Sequence, residues 1–224
     1  MNCKLFLGVL LLMGTNSMAQ ISGAGIQPKA NFSNQIIVWQ HLDPKFARSA
    51  NNLLSSAGVD AYMDVDLGEK WKLRTKAGVE TKGFVSTSAT YPLQDRAHKF
   101  NHVTLDANIL KFWGAADRKI KLYNYIGLTG GYVYSQKTPS YDPWFPSAPF
   151  VDPTVFISID YDKYDRFNFG GVAGIGLSFG EFLWLELEYG RDILYSLTTP
   201  DYKVYNNGHS INMGINVLEV LRKM

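Results

Sequence analysis

Glu186 and Glu188 stand two residues apart in the run LWLELEYG, a spacing that puts both carboxylates on one face of a β-strand. Such a pair could act as general acid and base in an enzyme. Enclosed beside lysine or arginine from other strands, the same pair would be structural, because enclosed charges need partners. We favour the structural interpretation.

The glycines just upstream do not form a nucleotide-binding loop. Gly171, Gly174 and Gly176 are spaced GxxGxG rather than GxGxxG, and neither a helix pattern nor a Walker lysine follows them. The stretch therefore predicts no phosphate site and no cofactor.

The four histidines show no spacing typical of a metal site. His98 and His102 would lie on one face of a strand about 13 Å apart. His209 and Ser210 suggest the serine–histidine pair of a lipid hydrolase, but adjacent strand residues point to opposite faces. We predict no catalytic residues and no bound metal, and lipid modification stays an alternative.

Alternating residue types predict the elements around these candidates. In Phe167–Phe179 one face is apolar and the other is small or polar, and the pattern recurs along the chain. Eight strands follow, at about 23–32, 59–67, 71–82, 100–113, 120–134, 167–179, 182–196 and 208–218. Pro28 weakens the first of them.

The predicted connections alternate strictly between short and long. Three are tight, at 68–70, 114–118 and 180–181, and four are longer, at 33–58, 86–99, 135–166 and 197–207. This alternation is typical of an all-β protein, an eight-stranded antiparallel up-and-down transmembrane β-barrel. Both termini would then lie on the short-turn side, which is periplasmic in outer-membrane barrels.

A soluble β-sandwich also alternates, but three features favour the barrel. Opposite charges match on one face and predict an enclosed lumen network of Asp60, Asp64, Asp66, Lys72, Arg74, Lys76, Glu80, Asp106, Glu186 and Glu188. Aromatic residues beside the short turns predict a periplasmic girdle of Trp71, Trp113 and Phe179. Glycines crowd the polar face, where they would give large lumen side chains room, and Phe182 and Trp184 are expected to fill the lumen.

The first residues predict export. Lys4, the apolar run 5–13 and the small residues Ser17 and Ala19 form a signal peptide over 1–19, followed by one barrel domain over 20–224. The sole cysteine, Cys3, would leave with the signal, so no disulfide is expected. A net charge of +2 without a basic stripe argues against nucleic acid.

The long loop 135–166 carries the strongest signal for an interaction. Its candidate binding surface consists of Tyr141, Trp144, Phe145, Phe150 and Phe156, stiffened by five prolines. Exposed aromatic clusters usually contact a partner, here an envelope protein or a surface ligand. The loop could equally fold over the barrel mouth and bury its own aromatics.

Three segments resemble the PorT-like outer-membrane β-barrel domain family of Bacteroidota. They are 100–113 (FNHVTLDANILKFW), 121–134 (KLYNYIGLTGGYVY) and 165–195 (DRFNFGGVAGIGLSFGEFLWLELEYGRDILY), and the resemblance spans about 22–217. It implies an eight-stranded outer-membrane barrel, and PorT itself is tied to gliding motility and type IX secretion. Unlike many such barrels, the chain does not end on an aromatic residue but continues from Leu218 to Met224.

The predicted function is non-enzymatic. The barrel would have a filled lumen, contact outer-membrane lipid, and act through its extracellular loops as a structural, adhesive or envelope-assembly component. A narrow pore or small-ligand transporter is the first alternative, and a lipid-modifying enzyme is the second.

Overall fold

The computed structural model describes residues 21–39, 48–50, 52–86, 96–115, 118–137, 165–194, 196–198 and 202–224. Nearly all of them lie in strands, as the alternation predicts. The elements are β1 (Ile21–Trp39), β2 (Arg48–Ala50), β3 (Asn52–Gly68), β4 (Trp71–Ser86), β5 (Arg96–Trp113), β6 (Ile120–Lys137), β7 (Phe167–Phe179), β8 (Leu183–Asp192), β9 (Leu197–Thr198), β10 (Tyr202–Asn216) and the helix α1 (Val217–Lys223).

The sheet closes on itself. Eight long strands follow in the order β1-β3-β4-β5-β6-β7-β8-β10, every neighbouring pair is antiparallel, and β1 pairs back onto β10 from Gly25↔Asn216 to Trp39↔Tyr202. The short strands β2 and β9 extend the wall at one end, on β1 and β10 respectively. The predicted eight-stranded antiparallel barrel is confirmed, and closure satisfies the strand hydrogen bonds internally.

The strands are longer than predicted at the long-loop end. β1 runs to Trp39 and β3 begins at Asn52, so much of the predicted loop 33–58 is strand. Polar alternation simply continues through Ser33 and Gln35, beyond the apolar run that guided the prediction. Pro28 does not end β1, because it pairs with Val59 of β3 in an unbroken register. It does limit pairing on the other side, since Gln27 and Pro28 have no partners in β10.

The C-terminal end differs from the prediction. The last strand ends at Asn216 rather than 218, and α1 follows. The Asn216 side chain accepts a hydrogen bond of 3.2 Å from the backbone N–H of Glu219, which is the geometry of a helix N-cap. Among the described residues, no helix has the length and apolarity of a membrane span.

The outer wall is apolar over the thickness of a bilayer core. In β6, Leu122 pairs with Trp113 at the short-turn end and Tyr132 pairs with Val103 near the other end. Ten residues at ~3.3 Å each, tilted by ~40°, rise about 25 Å. Between these levels most outward side chains of β6 are apolar, with Ile126 68% exposed, and the polar exception Asn124 lies beside Trp113.

Candidate functional site

One arginine spans the lumen near the short turns. Arg74 on β4 makes two contacts to Asp64, Nε to Oδ1 at 2.6 Å and Nη2 to Oδ2 at 2.8 Å. Its Nη1 donates to Glu186 on β8. The guanidinium also lies over the rings of Trp184, at 4.3 Å, and Tyr62, at 5.0 Å. Arg74 is only 3% exposed, so its charge depends on these partners.

Glu186 gathers partners from two more strands. Tyr123 on β6 donates its hydroxyl to Glu186 at 2.7 Å, and the side-chain amide of Gln27 on β1 donates at 2.5 Å. Together with Arg74, these bonds connect opposite sides of the barrel. The cross-section at this level is filled by side chains.

A second level repeats the arrangement two residues along each strand. Lys76 Nζ lies 2.9 Å from Glu188 and 3.5 Å from Asp106, and the Tyr125 hydroxyl donates to Glu188 at 2.9 Å. The repeat follows from strand geometry, because residues i and i+2 point to the same face. We refer to these stacked side-chain contacts in the lumen as the lumen ladder and to each level as a rung. Glu186 and Glu188 lie on consecutive rungs.

A third group lies further from the short turns. Lys29 Nζ contacts Asp60 at 3.1 Å and Glu80 at 2.9 Å. Glu80 also lies 2.6 Å from Lys82 Nζ and accepts a hydrogen bond of 3.2 Å from the side-chain amide of Asn31. Lys29 and Lys82 were missing from the predicted network. The signal for Lys29 was present, since polar residues alternate through the first strand: Gln27, Lys29, Asn31, Ser33 and Gln35.

Glycines on the lumen face make room for these rungs. A Cβ on Gly176 would lie 2.3 Å from Tyr123 Cζ, and one on Gly174 would lie 2.4 Å from Tyr125 Cζ. A Cβ on Gly214 would meet Trp184 at 2.0 Å. Tyr123 and Tyr125 reach Glu186 and Glu188 only because the β7 residues beneath the two rings are glycines.

Two predicted network members lie at the rim instead of inside. Lys72 Nζ contacts Asp66 at 3.2 Å, but both side chains remain partly exposed. Both Trp184 and Phe182 were expected to fill the lumen. Trp184 is buried there, but the prediction for Phe182 was wrong. Phe182 is exposed in the turn after β7, where Lys223 Nζ lies 3.9 Å from its ring centroid, because the turn carries its side chain out of strand parity.

Trp71, Trp113 and Phe179 all face outward beside the short turns. Lys111 Nζ lies between the two indoles, 5.2 Å from the Trp71 ring and 4.5 Å from the Trp113 ring. The Trp113 indole N–H donates to Asn124 at 2.6 Å. Such amphipathic side chains suit the boundary between acyl chains and headgroups.

Sequence reasoning missed a second aromatic cluster at the other end of the wall. Tyr132 and Phe167 are exposed, paired across β6 and β7, with ring centroids 5.0 Å apart. Both have apolar parity in the sequence, which could have indicated them. The apolar wall is thus bounded by aromatics at both ends.

A polar cavity opens above the ladder, toward the long-loop end. It has a volume of about 40 Å³ and is lined by groups that include Lys29, Glu80, Glu188 and Asp192. Asp192 accepts a hydrogen bond of 2.8 Å from the Asn206 amide. A space of this size takes a few water molecules.

The histidines do not assemble a reactive site in the part of the chain that the structure describes. Ser210 donates to Glu188 at 3.4 Å inside the barrel, while the His209 ring lies 5.1 Å from Tyr189 on the outer wall. His98 stacks on Phe84 at 4.5 Å. No cluster of three or more potential metal ligands occurs among these described residues.

Several predictions fall outside the described residues. They concern the signal peptide over 1–19 and the aromatic residues of the candidate loop surface. Those loop residues are Tyr141, Trp144, Phe145, Phe150 and Phe156.

Solved structures similar to this chain are outer-membrane barrels. Ail of Yersinia pestis, solved with the heparin analogue sucrose octasulfate, is 12% identical, with 86% of this chain and 98% of Ail covered and a TM-score of 0.38. Neisserial surface protein A is 10% identical, with coverage of 87% and 99% and a TM-score of 0.41. OprG from Pseudomonas aeruginosa is 10% identical, with coverage of 88% and 98% and a TM-score of 0.46.

No curated protein matches the chain. Its residues 18–199 match the outer membrane protein beta-barrel domain. That match covers most of the sequence and agrees with the closed barrel and its apolar wall. The chain belongs to the outer membrane protein beta-barrel domain family.

Proposed function

We propose that this outer-membrane barrel is an anchor with a closed lumen, and that its activity resides in the loops at the long-loop end. The observation that carries the proposal is the Arg74–Glu186 contact, which crosses the lumen between β4 and β8. Stacking of Arg74 between Trp184 and Tyr62 fills the same cross-section. The roles that fit such an anchor are structural, adhesive, or envelope assembly, including secretion as in PorT.

A narrow pore is the second candidate, supported by the charge balance of the lumen. Among the described strand residues, six buried carboxylates accompany three buried cations. The carboxylates are Asp60, Asp64, Glu80, Asp106, Glu186 and Asp192, and the cations are Lys29, Arg74 and Lys76. An acidic lumen with a polar cavity would favour small cations if the ladder opened.

Conductance in planar bilayers separates the two. For the anchor we expect no large, stable channel from the intact protein. Replacing Lys72, Arg74 and Lys76 by glutamine should mainly lower barrel stability in an anchor, whereas in a pore it should change ion selectivity. Large stable channels from the unmodified protein would overturn the closed lumen.

The loop 135–166 is the proposed interaction surface, for an envelope protein or a surface ligand. Deleting 139–153 should leave the heat-modifiable gel migration of the barrel unchanged, because the eight strands close without it. The same deletion should abolish capture of partners cross-linked in outer membranes. Retained capture would move the activity to another loop.

The proposed orientation has both termini in the periplasm, after removal of a signal peptide over 1–19. Both ends of the described chain lie at the short-turn rim, where β1 begins and α1 ends, which supports this assignment. A protease site inserted in loop 135–166 should be cut on intact cells, while one placed after Met224 should be protected. The reverse cleavage pattern would show that the barrel has the opposite orientation in the membrane.

We further propose that the barrel is not an enzyme. The support is that Ser210 faces the lumen whereas His209 faces the outer wall, so the two cannot act together. Replacing His209 or His102 with alanine should leave lipid A composition unchanged in the outer membrane. A changed composition would favour the lipid-modifying alternative.

A further inference from the structure

The helix α1 turns its apolar side chains away from the protein, whereas a helix on a water-exposed protein surface turns them inward. Val217, Val220, Leu221 and the C-cap residue Met224 follow the spacing i, i+3, i+4, i+7, which places them on one face. All four are exposed, Leu221 by 63% and Met224 by 97%. The apolar face therefore points away from the barrel.

The charged side chains of α1 lie on the opposite face, which contacts the barrel rim. Glu219 is only 9% exposed and lies 3.7 Å from Arg222 and 3.4 Å from Lys223. Arg222 also reaches the backbone carbonyl of Ile21 at 3.5 Å, and Lys223 lies over the Phe182 ring. Both basic side chains stay about half exposed, 47% for Arg222 and 54% for Lys223. A helix packed against a protein in water would instead turn its apolar face toward the protein.

The apolar face of α1 continues the wall that meets lipid. Met213 and Ile215 on β10 have the same parity as Val217, and Met213 and Val217 are both exposed outward. Ile215 pairs with Leu183, another exposed residue of the wall. The apolar face of α1 would therefore enter the same membrane that surrounds the barrel wall.

We propose that α1 is an interfacial helix that lies on the phospholipid leaflet at the short-turn rim. Its apolar face enters the boundary between headgroups and acyl chains, as amphipathic helices do at membrane surfaces. Arg222 and Lys223 extend along the rim, where their charged ends meet lipid phosphate.

Nitroxide labels at single cysteines test the proposal in the full chain, folded into vesicles of phosphatidylethanolamine and phosphatidylglycerol. In a Cys3→Ser background, Leu221→Cys and Met224→Cys report the apolar face. Arg222→Cys is the matched control on the same helix, and Glu69→Cys in the β3–β4 turn is the water reference. Collisions with oxygen, which partitions into lipid, are compared with collisions with a water-soluble nickel chelate.

We expect the oxygen-to-nickel ratio at 221 and 224 to be several-fold higher than at 222 and 69. The label at 224 replaces a side chain that is almost fully exposed, so it reports the environment without disturbing packing. Equal ratios at all four positions would place α1 in water and overturn the proposal. Protection of 221 and 224 from both reagents would also overturn it, and dipolar broadening between labels would identify a second copy as the occupant.

Discussion

Arg74 and Glu186 form an ion pair across the lumen, from strands that lie opposite each other in the barrel. In the order β1-β3-β4-β5-β6-β7-β8-β10, four steps separate β4 from β8 in either direction. Lys76 and Glu188 repeat the relationship one level higher. The two ion pairs connect opposite walls of the barrel.

Removing Arg74 should destabilise the barrel strongly. Arg74→Ala leaves Asp64 and Glu186 buried without their shared cation, and breaking a buried pair from one side costs about 3–5 kcal/mol. The free energy of unfolding, measured by urea titration in lipid vesicles, should fall by that amount. Lys70→Ala, in the exposed β3–β4 turn, is the control and should change it by less than about 0.5 kcal/mol.

The loss should be recovered when the stranded charges are removed too. In the triple variant Arg74→Met, Asp64→Asn, Glu186→Gln, no buried carboxylate remains at this level, and a neutral replacement of similar volume is often tolerated. We expect the triple variant to be more stable than Arg74→Ala. A triple variant no more stable than the single one would show that packing on Trp184 and Tyr62 dominates.

The glycines of β7 are predicted to be sterically required. In Gly176→Ala the added methyl group would lie 2.3 Å from Tyr123 Cζ, so the ring must move off Glu186. Overpacking of this kind costs about 1–3 kcal/mol. Gly130→Ala is the matched control, because its nearest neighbour would be 3.9 Å away. Equal melting temperatures for the two variants would show that Tyr123 adjusts freely.

The period-two alternation of the sequence was sufficient for the barrel and for contacts between adjacent strands. Asp64 and Arg74 pair directly across β3 and β4, and the tight turn at 68–70 fixes that register. Contacts across the lumen were not predictable in this way. Which residue faces Arg74 from β8 depends on strand number and tilt, which no local pattern encodes.

The helix α1 escaped prediction for a local reason. Val217 fits the apolar parity of β10, so alternation alone extends the strand past its true end. The competing signal was Asn216 followed three residues later by Glu219, a spacing typical of a helix N-terminus. Lys29 was missed although a strand was predicted there, because Pro28 beside it was expected to limit the pairing of that strand; the pairing with β3 passes through that proline.

The depth of the apolar wall in the membrane can be tested by placing a single arginine at either of two heights on β6. Ile126 lies midway between the aromatic levels on β6, and Ile120 lies at the short-turn rim of the same strand; both face outward. An arginine on the lipid face costs about 2–4 kcal/mol at the bilayer midplane and about 0–1 kcal/mol near the interface. Ile126→Arg should therefore lower the free energy of unfolding in vesicles well below that of Ile120→Arg. Equal losses at the two positions would contradict the ~25 Å span assigned to this wall.

Asn216 is predicted to hold α1 against the rim. Its side-chain oxygen accepts from the backbone N–H groups of Glu219, at 3.2 Å, and Ala24, at 3.3 Å, while its amide donates to the Glu181 carbonyl at 3.0 Å. Asn216→Ala removes all three bonds, and losing a helix N-cap alone costs about 0.5–2 kcal/mol.

Because the barrel closes independently of α1, that loss should appear first as release of the helix. A nitroxide at Met224→Cys, in the Cys3→Ser background, should become more mobile in Asn216→Ala, while heat-modifiable migration stays unchanged. Asn216→Asp keeps both acceptor bonds but replaces the donor to Glu181 with a carboxylate oxygen that repels this carbonyl, so the label should be less mobile than in Asn216→Ala. If Asn216→Asp released the helix as fully as Asn216→Ala, the bond to Glu181, rather than the cap on Glu219, would be the contact that fixes α1.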